Sequence, residues 1–230
     1  PQRIAKKGNY GSFLMEDMDT VHKLVSTLAR NLKIPVTCKI RIFPEREKTL
    51  QYAKMIQDSG CSLLAVHGRT REQKRCSEIR ADWRMIKEVK ELLDIPVLAN
   101  GDIRHLQDAK DCLAFTGCDG VLSAEPLLLN PALFSTERSP TGEPPCPEDP
   151  CNLLLEYLDL CEVYYTPQRM VRAHVHKLLG PWFNVFPDVR MRMNNEVSTL
   201  ELYRNVANEL KGLIRNHVAE QKAQATVETA

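Results

Sequence analysis

Several things are missing from this 230-residue sequence, and each absence narrows what it encodes. No apolar run approaches the roughly 20 residues that cross a bilayer, and the opening Pro-Gln-Arg-Ile-Ala-Lys-Lys lacks the apolar core of a signal peptide. The expectation is therefore an intracellular protein, cytoplasmic or nuclear, with no membrane partner. An excess of charge of one sign is missing too. The 31 basic residues face 30 acidic ones for a net charge of +1, so nucleic-acid binding would have to come from local basic patches. Paired cysteines are absent as well. The 8 cysteines (Cys38, Cys61, Cys76, Cys112, Cys118, Cys146, Cys151, Cys161) stand singly, with no Cys-x-x-Cys. That argues against a zinc ribbon or a dithiol redox motif and for buried reduced thiols. Cys146 and Cys151 flank a proline-rich stretch, where a metal or disulfide role is the lesser alternative to plain linker thiols.

What is present begins with Leu-Leu-Ala-Val-His-Gly-Arg-Thr at 63–70. An apolar run that stops at histidine, glycine and arginine reads as a buried parallel strand whose carboxyl end opens onto a site. Side chains alternate along a strand, so His67 and Arg69 project the same way, and Gly68 between them leaves room for a ligand at the backbone. A second strand at 36–42 (Val-Thr-Cys-Lys-Ile-Arg-Ile) repeats the design: Lys39 and Arg41 share a face and Cys38 takes the other.

A hydrophobic content of 43% is enough for a substantial core. The chain opens on a loop carrying Gly8, Gly11, Arg3, Lys6 and Lys7. A helix comes next, capped by Asp17 or Asp19, with Val21, Leu24, Val25, Leu28 and Leu32 at helical spacing. Starting in a loop with no strand ahead of it reads as a missing upstream portion. Strand and helix then alternate: helix 49–59 with Gly60 past its end, the strand that starts at Leu63, a helix capped by Asp82, strand 96–100, helix 106–115 with Gly117 beyond, and strand 120–123. Such repeats indicate parallel β/α architecture, with polar residues gathered at the carboxyl ends of the strands, the face where (β/α) barrels put their sites. A whole barrel takes about 250 residues, and the pattern here occupies only 1–135. Residues 136–151 read as a linker rich in proline and charge, and 152–222 as a helical domain broken by Pro181 and Pro187. Residues 223–230 read as a frayed tail. The fold class is thus α/β: the carboxyl-terminal half of a (β/α)8 barrel followed by a small all-α domain.

Three constellations stand out. Lys39, Arg41, His67 and Arg69 form a cationic group at adjacent strand ends, suited to an anionic ligand, a polarised carbonyl or a flavin. The plainer alternative is that these cations pair with nearby carboxylates, for which Asp102 and Glu125 are the acids at the strand ends. Asn100-Gly101-Asp102-Ile103 and Ser123-Ala124-Glu125-Pro126 occupy two successive strand exits, where a turn is the bland reading and a phosphate cradle the functional one, with 130–134 as a candidate short extra helix. In the helical region Arg169, Arg172, His174, His176 and Lys177, then Arg190 and Arg192, lie near Tyr164, Tyr165, Trp182 and Phe183. That mixture suits RNA, and equally suits a solvated helix face over an aromatic core.

Taken together, Lys39-Ile-Arg41, Val66-His67-Gly68-Arg69-Thr70 with Arg71-Glu-Gln-Lys74, Ala81-Asp82-Trp83 and Asn100-Gly101-Asp102-Ile103 resemble the tRNA-dihydrouridine synthases. Ser123-Ala124-Glu125, with Asn130-Pro131-Ala132-Leu133-Phe134 after it, looks like the eukaryotic branch acting on D-loop uridines 16 and 17, whereas most relatives carry Gly-Arg-Gly at that exit. Val171-Arg172-Ala173-His174 is similar to that branch's tRNA-binding domain. The resemblance implies an FMN barrel that reduces the uracil C5–C6 bond with NADPH or NADH as reductant, acts on tRNA and is monomeric when full-length. By motif position Lys39, His67, Asn100, Gly101, Asp102, Ala124 and Glu125 would surround FMN. Arg41 and Arg69 would hold the flavin or the flipped uracil, and Arg169, Arg172 and Lys177 would contact tRNA.

The family's catalytic cysteine sits in Asn-x-Gly-Cys-Pro, and Pro1-Gln2-Arg3-Ile4-Ala5 matches the stretch immediately after that cysteine, so no catalytic residue is expected within the chain. The loop 74–80 also lacks the glycines usual in the family. The isolated chain is therefore expected to be inactive. Its alternatives are a non-catalytic tRNA-binding remnant or another phosphate-binding barrel enzyme.

Overall fold

A computed structural model describes residues 2–73, 79–136 and 149–228. It divides into two compact units, Pro1–Ser123 and Ala124–Ala230. The first holds α1 (Gln2–Lys7), a 3-10 turn (Gly11–Glu16), α2 (Met18–Asn31), β1 (Thr37–Arg41), α3 (Arg46–Asp58), β2 (Leu63–His67), α4 (Trp83–Leu92), β3 (Val97–Asn100), α5 (Leu106–Thr116) and β4 (Gly120–Leu122). The four strands make one parallel sheet in sequence order, with Lys39 beside Ala65, Arg41 beside His67, and His67 beside Asn100.

Register and burial together separate the two faces of this sheet. Leu64, Val66, Val97 and Ala99 are completely or almost completely buried, as are Ala53, Ile56, Ile86 and Val89 of the helices. Each large aliphatic side chain among them contributes about 1.5–3 kcal/mol by leaving water. The opposite face runs through Lys39, Arg41, Ala65, His67, Leu98 and Asn100; there Lys39 reaches solvent, while Arg41, His67 and Leu98 are half-buried.

Local signals explain where the elements begin and end. The Asp17 carboxylate accepts from the Thr20 amide (3.0 Å) and hydroxyl (2.8 Å), starting α2, and Asp82 accepts from the Met85 amide (2.9 Å), starting α4. Gly117 closes α5 at φ 67. Two expectations change. The opening loop contains a helical turn, α1, before Gly8. In α2 only Val21 and Val25 are buried, whereas Leu24, Leu28 and Leu32 are exposed.

The second unit contains α6 (Glu125–Leu129), α7 (Asp149–Val163), α8 (Gln168–Leu178), α9 (Gly180–Val185), α10 (Pro187–Asn195) and α11 (Leu200–Glu228), and no strand among the described residues. Its core is Leu154, Leu158, Val175, Leu179, Phe183, Met193, Tyr203, Leu210 and Ile214. Pro181 and Pro187 open helices rather than only breaking one, because proline in a first turn forfeits no intrahelical bond. The short helix at the strand exit is α6; residues 131–134 form a turn instead. Cys151 is buried in the helical core and is no linker thiol. Cys76 and Cys146 lie outside the described residues, as do Lys74 and positions 137–148 of the linker. Helix α11 continues to Glu228, through residues expected to fray. Among the described residues no helix is long and apolar enough to cross a membrane, and no group of three or more histidines, cysteines or acids is placed to hold a metal ion.

Candidate functional site

Parallel pairing brings Lys39, Arg41 and His67 to one sheet face, and the loops beyond the strands complete the group. Arg41 donates from Nη1 to the Thr70 carbonyl (2.8 Å) and more weakly to that of Gln73 (3.4 Å), while Gln73 Oε1 accepts from the Thr70 amide (2.9 Å). Arg41 thus shapes the loop that leaves β2. Arg69 behaves differently. It is 2% exposed, and its guanidinium is engaged inside the protein: Nε donates to the Ile79 carbonyl (2.9 Å), Nη1 lies 3.1 Å from His67 Nε2, and Nη2 pairs with Asp102.

Asp102 is equally enclosed, its side chain 3% exposed. Its second oxygen accepts from the Ala81 amide (2.6 Å), and its backbone adopts the left-handed φ of 61. Gly101 before it has φ 116, and a Cβ there would stand 2.6 Å from the Ala81 Cβ and 3.1 Å from His67 Cδ2. Glycine is needed at that position both for its backbone angle and for the approach of the imidazole. Trp83 Nε1 donates to the Gly101 carbonyl (3.0 Å), and Asn100 donates from Nδ2 to the Leu122 carbonyl (2.8 Å), binding the exits of β3 and β4 together.

The electrostatics reflect this crowding. Burial pushes His67 down to about 4, with Arg41, Lys39 and Arg69 adding to the shift and Asp102 opposing it, so the ring is neutral at pH 7. Lys39 is also lowered from its ordinary value, by burial first and then by Arg41. Among the described residues no carboxylate lies within ion-pair reach of Lys39. Cys38, on the opposite face, shares a hydrogen bond with Cys61 that raises its thiol and draws Cys61 down to about 7.

The sequence anticipated Lys39, Arg41, His67 and Arg69 around one site with the turns at 100–102 and 124–125, and the structure brings the four side chains and the first of these turns together. Ala124 and Glu125 fall in the second unit, at the start of α6. Gly68 is a correction: the space beside its α-carbon is filled by the Asp82 backbone, 2.8 Å from where a Cβ would stand, and is not open to a ligand. Sequence reasoning missed the tether at 79–83, although Ala81-Asp82-Trp83 was visible as a motif. Its carbonyl, amide and indole groups hold Arg69, Asp102 and Gly101. An adjoining cavity of about 360 Å³ is lined by Arg80, Ala81, Asp82, Trp83, Arg84, Asp102 and Phe115.

In the helical unit the anticipated cations are mostly engaged. Arg172 donates to the Val197 carbonyl (3.0 Å) and the Tyr203 hydroxyl (3.4 Å), Lys177 lies 3.6 Å from Glu125, and Arg192 pairs with Glu209. Arg169 and Arg190 are exposed, as are Tyr164 and Tyr165, the latter 92% exposed.

The family model "Dihydrouridine synthase (Dus)" matches residues 1–227. Among curated proteins, "tRNA-dihydrouridine(16/17) synthase [NAD(P)(+)]-like" of Rattus norvegicus is 43% identical over 222 residues, covering 96% of this chain and 48% of the relative. The Schizosaccharomyces pombe "tRNA-dihydrouridine(16/17) synthase [NAD(P)(+)]" is 43% identical over 201 residues, covering 84% of this chain and 50% of that protein. A human "tRNA-dihydrouridine(20a/20b) synthase [NAD(P)+]-like" is 33% identical over 178 residues, covering 76% and 52%. The chain spans about half the length of these relatives. With the family model covering nearly every residue, both the sheet and the helices that carry the site, the chain belongs to the dihydrouridine synthase family.

Proposed function

We propose that this chain is part of a tRNA-dihydrouridine(16/17) synthase that reduces the uracil C5–C6 bond in the tRNA D-loop, with FMN as cofactor and NAD(P)H as reductant. In this reading residues 1–135 supply the carboxyl-terminal half of a (β/α)8 barrel and residues 152–222 a helical tRNA-binding domain, in an enzyme that is monomeric when complete and cytoplasmic or nuclear. Identity of 43% to relatives named for positions 16 and 17, against 33% to one named for 20a and 20b, supports this choice of uridine.

The observation that carries the reading is Lys39. Lys39 shares a sheet face with Arg41 and His67, reaches solvent while partial burial and the nearby Arg41 charge lower its pKa, and has no carboxylate partner among the described residues. An ammonium on this face with no carboxylate of its own among the described residues suits an electron-rich ligand. FMN fits that donor set, offering a ring edge rich in acceptors and a phosphate. Lys39 and His67 would meet the ring, and the Asn100–Gly101 turn would approach it through backbone. When bound, FMN supplies hydride chemistry at uracil C6. The chain's own task is to orient and to hold charge: Arg41 sets the loop at 70–73, and Lys39 keeps positive charge at the sheet face. A uracil stacked in tRNA has to be turned out of its stack to be reached. In the family the proton for C5 comes from the cysteine of an Asn-x-Gly-Cys-Pro motif, which does not occur within these 230 residues. Among the described residues Cys38 faces away from Lys39, Cys61, Cys112 and Cys118 are buried, and Cys151 and Cys161 lie in the helical core. The 230 residues alone are accordingly expected to reduce little or no uridine.

Titrating FMN against the purified chain and monitoring flavin fluorescence tests this. Wild type should quench it saturably, and Lys39→Ala, with an unchanged circular-dichroism spectrum, should weaken binding about tenfold, as for loss of one charge-assisted contact. A folded chain that leaves the flavin untouched and does not retain tRNA refutes the reading.

A further inference from the structure

We propose that Asp102, acting through Arg69, is a positioning residue that holds His67 as a neutral ring protonated on Nδ1, so that the cationic sheet face presents a fixed imidazole N–H donor to its ligand. Arginine has donors only. With Arg69 Nη1 3.1 Å from His67 Nε2, a hydrogen bond there requires the Nε2 lone pair, and the ring proton must sit on Nδ1. An imidazolium would set N–H against N–H.

Arg69 is not at liberty to turn aside. Ile79 takes its Nε at 2.9 Å and the buried Asp102 carboxylate takes its Nη2. Asp102 is anchored in turn by the Ala81 amide at 2.6 Å and by its left-handed backbone, with Arg104 4.0 Å away at the rim. The ring itself packs on Gly101, where a Cβ would come within 3.4 Å of Nε2. Arg41, Lys39 and Arg69 all disfavour a second proton, and Asp102 alone favours it. The carboxylate therefore acts in two directions: its field favours the imidazolium, while its geometry delivers the guanidinium that forbids it. Asp102 and Arg69 thereby serve the site through His67 and not by touching a ligand. The tautomer is dictated by these contacts alone; that the acceptor meeting Nδ1–H belongs to FMN rests on the function proposed above.

The test is a two-dimensional proton–nitrogen NMR spectrum of the histidine rings in the full 230-residue chain, with His67 assigned by its absence in His67→Asn. At pH 7 the ring should show a proton on Nδ1 only, unchanged down to about pH 5. In Asp102→Asn, where asparagine tolerates the left-handed backbone, the Nε2–H form should appear beside it. Arg69→Lys, which keeps the buried charge but not the fork, should do the same and serves if Asp102→Asn does not fold. Wild-type His67 protonated on Nε2, or on both nitrogens, at pH 7 overturns the proposal, as do variant spectra identical to wild type. FMN affinity adds a second readout, because the asparagine amide nitrogen stands near the place of Nδ1 and that of glutamine near Nε2. His67→Asn should bind within about 3-fold of wild type and His67→Gln about tenfold more weakly, the worth of one such hydrogen bond; equal losses overturn the donor role. Wild type that binds no FMN counts against the proposed function, and the ring spectra still decide the tautomer.

Discussion

The two units differ in their charge balance and in where it is buried: both pair surface cations with acids, but among the described residues only the first encloses an ion pair. Residues 1–123 contain 21 lysines and arginines against 16 acids, and residues 124–230 contain 10 against 14. In the first unit cations gather on one sheet face with a single buried carboxylate among them, Asp102, which Arg69 takes. In the second the cations are spent on acids and carbonyls: Arg204 on Asp159 and Glu162, Arg192 on Glu209, Lys177 on Glu125, Arg172 on Val197. The first unit spends surface cations on acids as well, Lys48 on Glu16, Lys54 on Asp58 and Lys90 on Asp119; what sets it apart among the described residues is the buried Arg69–Asp102 pair and Lys39, which has no carboxylate within ion-pair reach. If the helical unit touches RNA, it does so through a few groups at its surface and not through a broad positive field.

The sharpest way to break this comparison is to remove one acid from each unit's ion pairs. Asp102→Ala leaves the Arg69 guanidinium buried without its carboxylate and should cost about 3–5 kcal/mol. Asp159→Ala strips a partner from Arg204, but that carboxylate is exposed and the loss should stay below about 1 kcal/mol. Urea unfolding of the two variants measures both. Equal losses would mean that the Arg69–Asp102 pair is no more dependent on its burial than a surface pair.

A smaller effect concerns His67. Its folded pKa of about 4 lies below the ordinary 6.5, so the unfolded chain binds the extra proton between those values. Stability attributable to this ring is fully present above pH 6.5 and is lost as pH falls toward 4. After discounting for its contact with solvent, the loss should be about 1–2 kcal/mol. The plot of unfolding free energy against pH should therefore be flatter between 6.5 and 4 in His67→Asn than in wild type. Parallel plots would show that His67 charges as readily when folded as when unfolded.

Much of the first unit was legible because its signals are local. Alternation along Val36 to Ile42 and Leu63 to His67 put Lys39, Arg41 and His67 on one face, and Asp17, Asp82, Gly60 and Gly117 marked helix ends. The features that escaped were set by contacts distant in sequence. That Arg69 would turn inward depends on the Asp102 carboxylate, 33 residues later, and on Ile79. That Gly68 would be covered depends on the backbone of Asp82. In the helical unit the apolar period was readable, but the partners of Arg172 and Lys177, Val197 and Glu125, were not, because they come from elsewhere in the chain. A proline reads as a break in a periodic run, and only the geometry showed Pro181 and Pro187 starting new helices. The half-exposed stripe of α2 was invisible for a similar reason: leucines at 24, 28 and 32 carry the period of a core face whether or not anything packs on them.

The finest distinction is whether the helical surface meets RNA by charge or by stacking. Arg169 is exposed near Tyr164 and Tyr165, which project from the end of α7 into solvent. A phosphate contact releases counterions, so Arg169→Ala should weaken tRNA binding about 3-fold and lower the slope of log affinity against log salt by about 1. A tyrosine that stacks on a base releases none. Tyr165→Ala should then weaken binding by a similar factor with the slope unchanged, and Tyr165→Phe, which keeps the ring, should restore it. If Tyr165→Ala alters the slope or Tyr165→Phe fails to rescue, the hydroxyl or the local fold is at work instead of the ring. If neither variant changes binding, this corner is not an RNA surface, and any RNA contact of the helical unit has to be sought at other exposed groups such as Arg190.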